Sequence, residues 1–450
     1  MTSVILVISS SQRPSSEQQE AERGSPFVES LLRELGEDRG SLSSADLPPT
    51  LSDCLTAGPR VASTPTTPTQ RAEQLRQLAI AVEQIRGLEF VRPVRPHLLE
   101  DEEFRRRVRR MVLQGYTPPM AEADSRILAA LGMIRPSTDM RRLITRQAAR
   151  AVSGFYDPQT ERLYVRAKPG DLGVNERLTL VHELQHAVAH QVLGLPQTES
   201  LAATAQDRGL AERSLVEGDA MLTMWRYALT LPAHEQQKIE DPLGIKGEPT
   251  EGIPGYIARE ILFPYGQGLE FVCELYRRGG WEAVNHAYSE PPASTLEVLF
   301  PQRFYPGFAA GEPREAHTLR PPWRLAAIQE FGAADLLLLF RAGKATVYEG
   351  VTNPLMSVER WRGSQIRLWV RGPNSAMTLA FREAPGRSEL CLNLIRWYAG
   401  MFPEAKEVSG RLEDDATYLG ATQDAIVRCD GGGVLLAIAP NIATARRLVG

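Results

Sequence analysis

The chain has 450 residues, 43% of them hydrophobic and 24% charged, which is enough for a large core and more than one domain. No apolar run approaches the ~20 residues of a membrane span. The formal net charge of -4 and pI near 6.1 give no overall electrostatic reason to gather nucleic acid or anionic lipid, so neither is an expected partner.

The opening "MTSVILVISSSQRPSS" holds a short apolar stretch, Val4 to Ile8, without the basic flank or length of a signal peptide. It would be the tail of a signal or anchor if the true start lay upstream, which would make the protein secreted or envelope-associated. From there to residue 70 the chain is rich in Ser, Thr, Pro and Gly, broken by one amphipathic piece, "FVESLLREL". A disordered or processed leader, 1–70, is expected. The four cysteines, Cys54, Cys273, Cys391 and Cys429, have no CxxC spacing and read as lone buried thiols, although Cys391 and Cys429 could pair in an oxidising compartment.

Order begins at Arg71, where helical periodicity runs to Gly87. In "LLEDEEFRRRVRRMVLQGY", Asp101, Glu102 and Glu103 stand about one turn before Arg105, Arg106 and Arg107, so intrahelical charge pairs account for the arginines. Helices are expected around Ala123–Leu131 and Asp139–Arg150, separated by Gly132 and Pro136. "SGFYDPQTERLYVRA" then changes period to a β-hairpin turning at Asp157-Pro158-Gln159-Thr160.

The next helix, "RLTLVHELQHAVAH", has Asn175 as its candidate N-cap and Leu178, Val181, Leu184, Val188 and Val192 as its apolar stripe. His182 and His186 are one turn apart and can share one ion, while the intervening Glu183 faces aside to handle the protons of a bound water. Desolvating His, Glu and His together is costly without a cation, which argues for zinc over simple packing. His190 lies ~12 Å up the helix from His182, too far to join the same ion, and reads as a cation favoured by the helix C-terminus. An open catalytic zinc site wants a third protein ligand. The metzincin histidine is absent, with Ala189 and Leu193 at its positions. A second helix, about Arg208 to Leu229, offers Glu217 in "LVEGDAMLTMW" on an increasingly apolar face; Glu212 competes with it, and a salt bridge to Arg213 is the alternative for Glu217 itself. Asp219 could accept a ligand histidine's free N–H.

HELQH followed by EGDA resembles the gluzincin clan of zinc metallopeptidases, which includes thermolysin and the alanyl aminopeptidases. "GFYDPQTERLYVR", "LVHELQHAVAHQ", "LVEGDA", "RGGWEAVNHAYSEPPASTLEVLFPQRFY" and the C-terminal segment look more closely like a group of bacterial gluzincin-like proteins, over roughly Arg71 to the end. The resemblance implies one zinc ion held by His182, His186 and Glu217, with Glu183 as general base and acid and a peptide or protein as substrate. It also implies an oxyanion-assisting residue, for which Tyr265 is chosen over Tyr256, His286 and Tyr288. By the same analogy the hairpin strand ending "RLYVRA" would offer an edge to an extended substrate. The aminopeptidase GAMEN sequence is missing, and Met221 stands where thermolysin has an acidic residue.

A third helix is expected over Tyr265–Ser289, breaking at Gly279-Gly280. A boundary is placed near Arg320, giving a metallopeptidase domain, 71–320, and a smaller α+β domain, 321–450. The latter should hold a helix around Gln329–Arg341, strands at "QIRLWV" and "AMTLAF", a helix at "LCLNLIRWYAGMF", a hairpin in "AIVRCDGGGVLLAIAP" and a last helix at "TARRLV". The fold class expected is α+β, with a mainly helical zincin-like domain. Two competing functions are a binding or envelope-associated protein that keeps the zinc fold as scaffold, and a zinc hydrolase of a non-peptide amide or ester.

Overall fold

The first helix whose full range is described begins where apolar residues recur at helical spacing. The computed structural model describes residues 54–55, 71–166, 172–196, 206–239, 253–308, 310–313, 316–342, 351, 353–385, 389–411, 415–430 and 433–450. Of the expected leader only Cys54 and Leu55 fall among them, both buried; "FVESLLREL" lies outside the described residues.

Helix α1 (Arg71–Arg86) stops at Gly87, whose φ of 71° suits a residue without a Cβ. Helices α2 (Asp101–Gly115), α3 (Pro118–Ala130) and α4 (Met140–Ala151) follow, the last capped by Asp139, whose side chain accepts from the Arg142 N–H at 2.9 Å. The expected hairpin forms as β2 (Gly154–Asp157) and β3 (Arg162–Arg166), its turn held by Asp157 Oδ1 accepting from the Gln159 N–H at 3.0 Å. A strand of three residues, β1 (His97–Leu99), was too short to show an alternating pattern; it pairs in parallel with β3 and makes β3 the central strand. The strand ending "RLYVRA" is therefore paired on both sides, and the outer strand beside the HELQH helix is β2.

That helix, α5 (Val174–Leu193), is capped by Gly173, not Asn175, and is buried all round from Arg177 to Ala189. It packs on α6 (Gln206–Ala228), and α6 packs along α7 (Gly255–Ser289). Helix α7 begins ten residues before its expected start and runs through Pro264. Burial of Tyr256, Ile257, Phe263 and Tyr265 on both sides of the proline outweighs the hydrogen bond it removes. The expected break is present, with φ 60° at Gly280.

Helices α6 and α7 cross on glycine. A Cβ on Gly218 would lie 2.1 Å from the Gly268 carbonyl oxygen, and one on Gly268 would lie 2.2 Å from that of Ser214. Only hydrogen side chains let the two backbones approach so closely.

After the short α8 (Thr295–Leu299) comes a seven-stranded sheet of order β4-β5-β6-β10-β9-β8-β7. Its strands are β4 (Arg324–Glu330), β5 (Trp361–Arg371), β6 (Asn374–Glu383), β7 (Lys406–Arg411), β8 (Asp415–Leu419), β9 (Asp424–Asp430) and β10 (Gly433–Ala439). It is joined by α9 (Ala333–Arg341), α10 (Pro354–Arg360), α11 (Glu389–Met401) and α12 (Ile442–Val449). Gln329, expected to open a helix, lies instead in β4, and the helix starts at Ala333 behind Gly332. Strands β4, β7 and β8 are short or polar and left little alternation to read. The molecule is mixed α+β.

One apolar core lies among α1, α5, α6 and α7. The second sits on the seven-stranded sheet and α9 to α11, but it also takes in Ala121, Ile127 and Leu128 of α3 and Tyr256 and Ile257 of α7. Apolar packing thus crosses the expected boundary near Arg320. The lone-thiol expectation fails: all four cysteines are paired, Cys54 with Cys273 and Cys391 with Cys429.

Candidate metal centre

Helix α5 sets His182 and His186 side by side, their ring centroids 4.7 Å apart and their planes at 80°. Across from them α6 presents Glu217, whose Oε2 is 3.1 Å from His182 Nε2 and 3.6 Å from His186 Nε2. Donor atoms on one tetrahedral ion at ~2.0 to 2.1 Å lie ~3.3 Å from one another, so this spacing fits a single small cation. Among the described residues this is the one His/Cys/Asp/Glu group close enough to hold a metal.

The polar atoms point the same way. His182, Glu183 and His186 are 0% exposed and Glu217 is 1% exposed, yet His182 Nδ1, His186 Nδ1 and Nε2, Glu217 Oε1 and both Glu183 oxygens reach no hydrogen-bond partner of ordinary geometry. Six such atoms at one spot would be expensive to bury for packing alone. Burial, and then the Glu217 charge, raise the Glu183 carboxyl well above its usual range, with the Tyr156 backbone N–H offsetting part of this. Burial lowers His186 to about 4, which keeps its imidazole neutral and able to ligate. Glu217 is also penalised by burial, but the hydrogen bonds of His182 and His186 outweigh that and hold it below the ordinary value. A neutral imidazole at His186 and an ionised carboxylate at Glu217 are donors that a divalent transition metal could use.

Tyr265 of α7 lies over His182, ring centroids 6.2 Å apart and planes at 28°. Its rivals are engaged elsewhere. The Tyr256 hydroxyl donates to Asp335 Oδ1 at 3.1 Å, the Tyr288 hydroxyl donates to Asp219 Oδ2 at 3.0 Å, and His286 sits exposed beside Glu290.

Three other expectations are corrected. Asp219 takes no ligand histidine; both its oxygens accept from Arg86 Nε, at 2.8 and 3.0 Å, and one also accepts from Tyr288. Arg86 in turn donates to Asn285 Oδ1 at 2.7 Å and lies over the Trp281 ring, so α1, α6 and α7 are tied together one turn from Glu217. Glu212 accepts from Arg208 Nε at 2.8 Å and stays outside the cluster. His190 is not a cation favoured by the helix end, because burial pushes its pKa down and its Nδ1 meets the Tyr156 hydroxyl at 3.0 Å.

Sequence reasoning missed Gly154. A Cβ there would come within 2.8 Å of Thr179 Cγ2 and 3.1 Å of Glu183 Cγ, so glycine lets β2 lie directly on the HELQH helix. The signal was present in "SGFYD", a glycine at the entry of a strand.

No family model, curated protein or solved structure matches the chain.

Proposed function

We propose that the protein is a zinc-dependent metallopeptidase of gluzincin type, binding one zinc ion per chain through His182, His186 and Glu217. The observation that carries this reading is the convergence of those three donors beside the fully buried carboxyl of Glu183. Zinc bound there supplies Lewis acidity, lowering the pKa of water and polarising a carbonyl. Glu183 accepts the proton of the attacking water and gives it to the leaving amine; its raised pKa suits a group that must hold that proton between the two transfers. The Tyr265 hydroxyl donates a hydrogen bond to the oxyanion that develops on the former carbonyl. Because β3 is the central strand, an edge offered to an extended substrate comes from an outer strand, and β2 is the one packed on the HELQH helix.

The pairing of all four cysteines supports folding in an oxidising compartment, consistent with a secreted or envelope-associated protein. No helix among the described residues is long and apolar enough to cross a membrane.

The complete burial of the cluster favours one second reading, a zinc-stabilised scaffold without catalysis. Glu183→Gln separates the two. Mixed unfolded proteins should be hydrolysed by the wild type and not by the variant, with about one zinc per chain in both by mass spectrometry. Zinc in a wild type that hydrolyses nothing would favour the scaffold, and its absence from well-folded protein would end both readings.

A further inference from the structure

The acidic turn that opens α2 was expected to neutralise the arginines that follow. It does so only once: Arg105 pairs with Asp101 at 2.8 Å. Asp101 also meets Arg166 at 3.3 Å, and Arg107 lies over the Tyr164 ring. Arg106, Arg109 and Arg110 are exposed, and none has an acidic partner within ion-pair distance among the described residues, although Glu102 and Glu103 lie on the preceding turn.

Helix α4 repeats the pattern. Arg142, Arg146 and Arg150 recur at intervals of four, all exposed and likewise without an ion-pair partner, and the helix carries no acidic residue. The helices are packed together and antiparallel. Arg141 at the start of α4 donates to the Leu113 and Tyr116 carbonyls at the end of α2, while Arg166 joins Asp101 at the start of α2 to the Ala149 and Arg150 carbonyls at the end of α4. Axes of packed helices are ~8 to 10 Å apart, so the two exposed arginine rows are carried by neighbouring helices of one packed pair. Five arginines and three acidic residues on α2, with four arginines and none on α4, leave a surplus of six positive charges in a chain whose net charge is -4. Net charge, which argued against anionic partners, averages over this asymmetry.

We infer that the outward arginine rows of α2 and α4 form a docking face for an anionic phospholipid surface. Isolated arginines present their full charge to phosphate, and a polybasic helical face gains affinity with each residue near the headgroups. Lipid is chosen over nucleic acid because the two cystines point to an oxidising compartment, where membrane surface is present and duplex nucleic acid is not an ordinary resident. The inference does not depend on the metal reading.

The test is co-sedimentation of the full chain with vesicles of equal parts phosphatidylcholine and phosphatidylglycerol, against vesicles of phosphatidylcholine alone. The fourfold variant Arg106→Glu, Arg110→Glu, Arg142→Glu, Arg146→Glu is run alongside. All four positions are exposed, and an unchanged circular dichroism spectrum verifies folding. Wild type should bind only the anionic vesicles, more weakly as salt rises, and the variant should lose at least about 100-fold in affinity. Absent binding, equal binding to neutral vesicles, or full retention by the variant would overturn the inference. So would capture of duplex DNA or RNA by a protein that leaves the vesicles alone, which would make the face a nucleic-acid surface.

Discussion

Gly268→Ala tests the link between helix packing and the metal centre. The added methyl would be 2.2 Å from the Ser214 carbonyl oxygen, against an ordinary carbon–oxygen contact of ~3.3 Å, so α6 and α7 must separate by ~1 Å. Backbone opposes backbone there, and no flexible side chain can swing away. Overpacking of this kind costs about 3 kcal/mol at the upper end, and the better helix propensity of alanine returns about 1, leaving a net loss of about 2 kcal/mol. Because Gly218 and Glu217 are neighbours, the same shift moves the carboxylate relative to both histidines, and metal affinity should weaken by about 10-fold or more. Thermal melting and competitive zinc titration read the two effects. Gly255→Ala is the control, since its methyl would find only Arg259 Nη1 at 3.5 Å and should change neither quantity. If Gly268→Ala melted at or above wild type with undiminished affinity, the close crossing and its role in placing Glu217 would both be wrong.

Arg86→Met should destabilise the protein by about 3 kcal/mol in urea titration, because Asp219 loses its cation at a fully buried site. The loss stays at the lower end because burial already raises the Asp219 pKa, so its carboxyl can take up a proton instead. Reducing the cystines should lower the denaturation midpoint. The Cys54–Cys273 bridge spans 219 residues and contributes up to about 5 kcal/mol, and Cys54→Ala together with Cys273→Ala should reproduce most of the loss. A third effect follows from Glu260, Glu330 and Asp335, which burial above all pushes up to about 8, about 7 and about 6, neighbouring carboxylates adding to it and, at Asp335, the Gly332 N–H offsetting part. Folded protein then holds more protons than unfolded above about pH 4.5, so stability should fall as pH rises toward about 8. Urea midpoints across that range should slope downward, more gently in Glu260→Gln; a flat or rising profile in wild type would refute the assignment.

The convergence of His182, His186 and Glu217 was legible because its logic is local: HELQH places two imidazoles side by side by helical geometry, and the apolar face around Glu217 made it the expected carboxylate opposite them. Asp219 was misplaced because its partner Arg86 is 133 residues away, and no spacing rule connects α1 to α6. The same limit hid the Cys54–Cys273 pairing and the parallel contact of β1 with β3, each of which joins segments remote in sequence. The first turns of α7 were not legible either, since they precede Pro264, a residue that normally ends a helix, and only tertiary burial carries α7 through it. The arginines of α2 show that favourable spacing creates an opportunity for pairing, which Arg106 does not take.

Helix α7 has one end seated in the sheet's core and Tyr265 over His182, and α3, though far from the sheet in sequence, packs in the sheet's core as well. Pulling the two halves apart would therefore expose apolar surface on both. A protease nick near Arg320 would leave two fragments that still migrate as one particle, parting only in denaturant.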